Sequence, residues 1–231
     1  MIEKQTLISL SKPNNIILLI GIRLAFAVPL GLTGWMSGMH ISYYDKLFYS
    51  RFIYWGTVVF LFFYARMAEQ QPLLIWTESK PTLGFFLLSV LVLYLLFIAA
   101  AVASAIPMLF GMRENNAMVK MITGVLKGHE AMLFFIALTA GVTEELIFRG
   151  YILTRLEQRF QNPVIAIIAS SLLFSALHYK YGSLHELIFA FLIGIIFSVY
   201  YVKYRNIKAL MLVHFLIDFI NINLAQHVKL K

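Results

Sequence analysis

Residues 84–110, GFFLLSVLVLYLLFIAAAVASAIPMLF, carry no charged side chain over 27 positions. A helix needs about 20 apolar residues to cross a hydrocarbon layer about 30 Å thick. Lipid offers no water to peptide groups, so a run of this kind folds as a helix that pairs its own N–H and C=O groups. This one is long enough to tilt, or to break near Pro107. Comparable runs recur on both sides, at 15–35, 51–67, 130–152, 163–181, 184–203 and 207–226. The reading is an all-α, polytopic membrane helix bundle of about seven transmembrane helices. Residues 1–231 are read as a single membrane domain. Polar punctuation such as Gln71-Pro72, Lys80-Pro81 and Gln161-Asn162-Pro163 separates the runs, with Asn162 and Pro163 suited to start a helix.

Composition agrees. Of the 231 residues, 61% are apolar and 13% charged, and the charged share is about half that of a soluble domain. Lys and Arg number 19 against 11 Asp and Glu, a net charge of +8. The bases sit mostly in short gaps between apolar runs. That placement suits anionic lipid head groups and argues against nucleic acid as a partner. Their two-sided distribution does not fix the orientation, and the oligomeric state is not legible. There is no cysteine, so disulfides, thiolate nucleophiles and Cys-based metal sites are excluded. Lys4, Lys12 and Ala25-Phe26-Ala27 imitate a signal peptide, but Arg23 interrupts the apolar stretch. Residues 15–35 are therefore read as a membrane helix that stays in the protein.

Ionisable groups inside apolar spans are costly and usually functional. Three clusters stand out. In Glu144-Glu145-Leu146-Ile147-Phe148-Arg149, Glu145 and Arg149 are four apart and share a helix face. Glu144 projects about 100° away, free to face a cavity and act as a base toward water. Phe174 and His178 are also four apart, so the ring can hold the imidazole rotamer. His214 and Asp218 repeat the spacing inside an apolar span, where Asp218 could accept a proton from His214 and fix its tautomer. The ordinary reading of the first cluster is charge at a helix end, and that of the second is an interfacial histidine, since Tyr179-Lys180-Tyr181 follow at once. A His–Asp pair deep in an apolar run asks for a function.

Together the clusters permit three chemistries. Glu144 could activate water against a peptide carbonyl, with His178 and His214 assisting. Glu144, His178, His214 and Asp218 could instead ligate a metal such as zinc. Or the set could relay protons in a small transporter, which should show broken helices or repeated halves. Other motifs fail: His185-Glu186 begins an HExxH, but Phe189 stands where the second His belongs.

The three clusters, in this order and on separate spans, resemble the CAAX protease and bacteriocin-processing (CPBP/Abi) family of intramembrane glutamic endopeptidases. That family is marked by EExxxR, FxxxH and HxxxN or HxxxD. The resemblance covers roughly 130–225, leaving 1–129 as additional transmembrane helices. It implies Glu144 as the base, His178 as its assistant, and His214 with position 218 at the oxyanion. Glu145, Arg149 and Phe174 would support them. No cofactor is implied. The partners would be the bilayer and a peptide or membrane-protein substrate, and a chain this compact looks like the bacterial type, in the plasma membrane. Members process CAAX proteins, bacteriocins or peptide signals, or confer self-immunity, and a non-catalytic immunity or binding protein is the rival reading. Position 218 departs from the prenyl-protein enzymes, which typically carry Asn.

One geometric condition follows. Consecutive spans run antiparallel, so Glu144 and His178, both late in their spans, meet only if Glu144 sits near the middle of its helix. The periodic Ile152, Leu153, Leu156 and Phe160 predict one long helix over about 130–160.

Overall fold

Capping residues open the helices where the sequence supplies them. In the computed structural model, which describes residues 14–78, 81–112 and 115–227, Asn14 accepts the Ile16 N–H and starts α1 (Asn15–Ser37). Ser42 starts α2 (Tyr43–Met67) and Thr82 starts α3 (Leu83–Ser104). A short 3₁₀ turn with Pro107 near its start, Ile106–Phe110, extends α3 and ends at Gly111 with φ of 85°, the break expected near that proline. Then come α4 (Ala117–Leu126) and α5 (Glu130–Phe160). The helix α6 (Pro163–Leu177) runs into a 3₁₀ turn, His178–Tyr181. Last are α7 (Leu184–Tyr204) and α8 (Ile207–His227). There is no strand among the described residues.

Seven of these helices are long and apolar enough to cross a membrane. The chain is an all-helical, multi-pass membrane protein. Large apolar side chains such as Phe62, Phe63, Leu87, Leu91 and Val102 are more than half exposed, which suits contact with lipid tails. Lys4, Lys12, Lys80, Arg113, Lys229 and Lys231, which entered the charge count, lie outside the described residues.

The structure corrects the second span. It begins at Tyr43 rather than Arg51, because Ser42 Oγ accepts the Asp45 N–H and meets its carboxylate at 2.6 Å. The helix is nucleated by this cap, in a polar stretch that an apolar count passes over. The ten-residue α4 is too short to register as a span.

The long helix expected over 130–160 is present as α5, continuous for 31 residues. Its middle, Leu146–Leu153, is π-helical. Seven successive residues there, Ile147 to Leu153, are buried, so α5 is surrounded on all sides and forms the axis of the bundle. Two small residues set how closely its neighbours approach. A Cβ at Gly141 would lie 2.8 Å from the backbone N of Phe215, so only glycine lets α8 cross α5 there. A Cβ at Gly194 would lie 2.8 Å from that of Ser171, which brings α7 against α6. Small residues permit this approach in membranes, where packing rather than a hydrophobic drive joins helices. On the other flank, Trp55 Nε1 donates to Thr139 Oγ1 at 3.4 Å and ties α2 to α5.

Candidate active site

Gly141 lies one turn before Glu144 and Glu145, so the crossing it allows places α8 beside both carboxylates. His214 precedes the contacted Phe215 and lands on Glu145: its Nδ1 is 2.7 Å from Glu145 Oε1. The same oxygen accepts a bond from Arg149 Nη1 at 2.9 Å. The i,i+4 pair read from the sequence is therefore present, and both partners are buried, at 0% and 1% exposure.

Arg149 is held from three more directions. Its guanidinium lies 4.6 Å from the Phe174 ring centre and 5.3 Å from that of Phe197. Its Nη2 points at the Gly194 carbonyl at 3.5 Å. A charged group sandwiched between two ring faces recovers part of its lost hydration.

Phe174 is the meeting point of the three motifs. Its ring centre is 5.0 Å from the His178 ring, 6.5 Å from His214 and 5.1 Å from Phe148. It holds the histidine rotamer, as its spacing suggested, and also supports Arg149 and borders the second histidine.

The tautomers follow from the partners. His178 Nδ1 is 3.0 Å from the Phe174 carbonyl. A carbonyl only accepts, so Nδ1 donates and Nε2 of the neutral ring carries the lone pair. His214 Nδ1 faces a carboxylate and donates likewise, leaving Nε2 toward Asp218 Oδ2 at 3.6 Å. The holder of the His214 tautomer is thus Glu145, not Asp218. Asp218 makes a longer electrostatic contact on the opposite ring nitrogen.

Glu144 is half-buried, as expected of the carboxylate turned away from the Glu145 pair. Its charge acts on His214 and Asp218, and on Tyr54 of α2 and Tyr181 after α6. His178 acts on Asp218 as well, and its ring stacks on Tyr181 at 5.7 Å. Glu144, His178, His214 and Asp218 therefore share one electrostatic neighbourhood, drawn from α5, the end of α6 and α8. Among the described residues, no three His, Asp or Glu side chains converge as metal ligands, and Glu145 Oε1 is already engaged by both His214 and Arg149.

Sequence reasoning missed two sets. Arg51 and Tyr54 of α2 face this neighbourhood: the Arg51 charge acts on Tyr54 and Asp218, and its guanidinium lies 5.1 Å from the Tyr54 ring centre. In the sequence Arg51 is only the first residue of the run at 51–67 and belongs to no motif. The second set lies farther along α5. Glu69 Oε2 accepts from Arg155 Nη2 at 2.8 Å and Nε at 3.0 Å, and Glu69 Oε1 accepts from the Tyr151 hydroxyl at 2.6 Å. A charge at each side of a gap, 86 residues apart, gave no pairing signal.

The fold and this Glu–Arg–His–Asp constellation define a multi-pass membrane protein with ionisable side chains gathered in its interior. Residues 128–220 match the family model described as type II CAAX prenyl endopeptidase Rce1-like, a family of proteases. The matched stretch contains all three motifs, and so bears out the resemblance read from Glu144-Glu145, Phe174/His178 and His214/Asp218. No curated protein and no solved structure matches the chain significantly.

Proposed function

We propose that this protein is an intramembrane endopeptidase of the glutamic type, acting on a peptide or membrane-associated protein in the cell membrane. The observation that carries the reading is the pinning of both histidines by Nδ1, one on a carbonyl and one on a buried carboxylate. Each then presents Nε2 to chemistry beside Glu144 and Asp218.

In the proposed reaction, Glu144 takes a proton from water as its oxygen attacks the peptide carbonyl. His178, with its Nε2 lone pair, helps hold that water. The carbonyl carbon becomes tetrahedral and its oxygen gains negative charge, which a proton-bearing His214 Nε2 can meet. Collapse breaks the C–N bond, and the proton held by Glu144 passes to the departing amine. Ionised Asp218 cannot donate to an oxyanion. Its place beside Nε2 suits it to favour the protonated ring of His214. Glu145 and Arg149 orient His214 from behind.

The residues from 1 to 231 would act as one unit, with the matched stretch as the catalytic core and α1–α3 as its wall. Prenylated C-terminal peptides, named in the family description, are the first substrates to try. The test compares peptide termini released by cells producing wild type or Glu144→Gln at equal membrane levels. Termini found only with wild type, then reproduced with purified protein, would support the reading. Identical termini with the biological phenotype intact would favour a non-catalytic immunity or binding role.

A further inference from the structure

Two arginines of the long helix are paired. Arg149 and Arg155 each meet a buried carboxylate, at 2.9 and 2.8 Å. Arg51 does not. Among the described residues no carboxylate lies within 4 Å of its guanidinium. Yet Arg51 sits eight residues into α2, about 12 Å along the axis, and is half-buried. A cation inside a membrane span with no carboxylate to pair it is expensive to maintain and marks a site.

Its geometry shows which edge is engaged. Nε and Nη2 both reach the Ser50 Oγ, at 3.1 and 3.0 Å. The guanidinium lies over the Tyr54 ring, which fixes its side-chain direction. Nη1 makes no hydrogen bond with a described residue, so the Nη1–Nη2 end of the fork is left to receive two oxygens. A carboxylate fits that fork in bidentate fashion. The Arg51 charge reaches Asp218, and the Glu144 charge reaches Tyr54, so the fork stands on the α2 side of the site.

We propose that Arg51 binds a carboxylate of the peptide substrate and thereby positions the scissile bond beside Glu144. The inference rests on the endopeptidase reading and adds a residue that selects substrate. The carboxylate is either the chain terminus or an Asp or Glu side chain. Arg51 is a binding residue in this scheme, with no part in proton transfer.

The test uses full-length protein in nanodiscs of neutral phosphatidylcholine, so that lipid anions do not compete. The probes are pools of N-acetylated octapeptides, each made as free acid and as C-terminal amide, with and without Asp and Glu. Retention is measured on the Glu144→Gln protein, where cleavage does not interfere. Hydrogen bonds to a charged group are worth about 1.5–3 kcal/mol, so carboxylate-bearing peptides should be retained roughly 10- to 100-fold better than carboxylate-free ones. Adding Arg51→Gln should bring that ratio close to one, and Arg51→Lys should give an intermediate ratio, with equal yields and melting temperatures checking the fold. Preference for free acids lacking Asp and Glu assigns the terminus; preference for amides containing them assigns a side chain. Equal retention of all pools, retention of none, or a preference that survives Arg51→Gln would overturn the inference. Wild type incubated with the same pools tests the parent reading separately. Cleavage without carboxylate preference sinks the Arg51 inference alone, and Arg51-dependent retention without any cleavage sinks the protease reading and the positioning of a scissile bond with it, leaving Arg51 as a carboxylate-binding residue.

Discussion

Two buried glutamate–arginine pairs draw their arginines from the long helix, and they are completed differently. Near its end, Arg155 donates to Glu69 through two nitrogens and to the carbonyls of Pro72 and Leu73 at 2.8 and 2.7 Å, while Gln71 and Tyr151 also reach the Glu69 carboxylate. Every group there is tied to chain near the α2–α3 connection. At the middle, Arg149 and Glu145 are tied to aromatic faces and to a histidine whose far nitrogen points toward Asp218. The first pair closes on itself and locks the fold. The second ends in a histidine, the side chain that most readily trades protons near neutral pH. Burial and charge are alike in the two; the difference lies in what the last member of the network faces.

The largest expected effect tests whether catalysis lies outside both pairs. Glu144→Gln should lower kcat/KM by roughly 100- to 10,000-fold, the usual worth of a general base, with an unchanged melting temperature. Full activity in that variant would remove Glu144 as the base. Next, Arg155→Ala should destabilise by about 3–5 kcal/mol, because it strands a buried carboxylate. Activity per folded molecule, measured after correcting for yield, should stay near wild type. A catalytic defect out of proportion to the folded fraction would erase the contrast between the pairs.

Glu145→Gln falls between these extremes. It keeps the shape but weakens the grip on His214, so activity should fall roughly 10- to 100-fold, as for other partners that orient a histidine, with a measurable loss of stability. A double-mutant cycle of Glu145→Gln with His214→Ala should be strongly non-additive in kcat/KM; simple additivity would show that the 2.7 Å contact has no part in orientation. The smallest effect belongs to Gly141→Ala. Its added methyl meets the α8 backbone and should cost about 1–3 kcal/mol of overpacking. It should also reduce activity by separating His214 from Glu145. A crystal structure of that variant showing an unmoved α8 would refute the close-crossing argument.

Much of this architecture is legible in the sequence because lipid imposes a simple rule: long apolar runs must be helices. The Glu145–Arg149 pair and the Phe174–His178 contact are local, so their four-residue spacing was enough. What escaped depends on which helices cross and where. Glu145 rather than Asp218 holds His214 because Gly141 admits α8, and no spacing within α8 contains that fact. Glu69 and Arg155 are joined only once α2 and α5 stand side by side. The start of α2 escaped for the opposite reason, since its signal was a two-residue cap hidden in a polar segment. Arg51, first residue of the apolar run, stands two turns inside the helix only because that cap starts it at Tyr43.

The π-helical stretch at Leu146–Leu153 acts as a phase shifter between Glu145 and Arg155. Its wider turn accommodates extra chain in the same cylinder, so residues after it are rotated relative to those an unbroken α-helix would present. Relaxing the stretch to 3.6 residues per turn at unchanged length would turn everything beyond it about the helix axis. Arg155 would then leave Glu69 while Glu145 kept its place. The width of one turn, and not only the residues it carries, therefore couples the lock to the site.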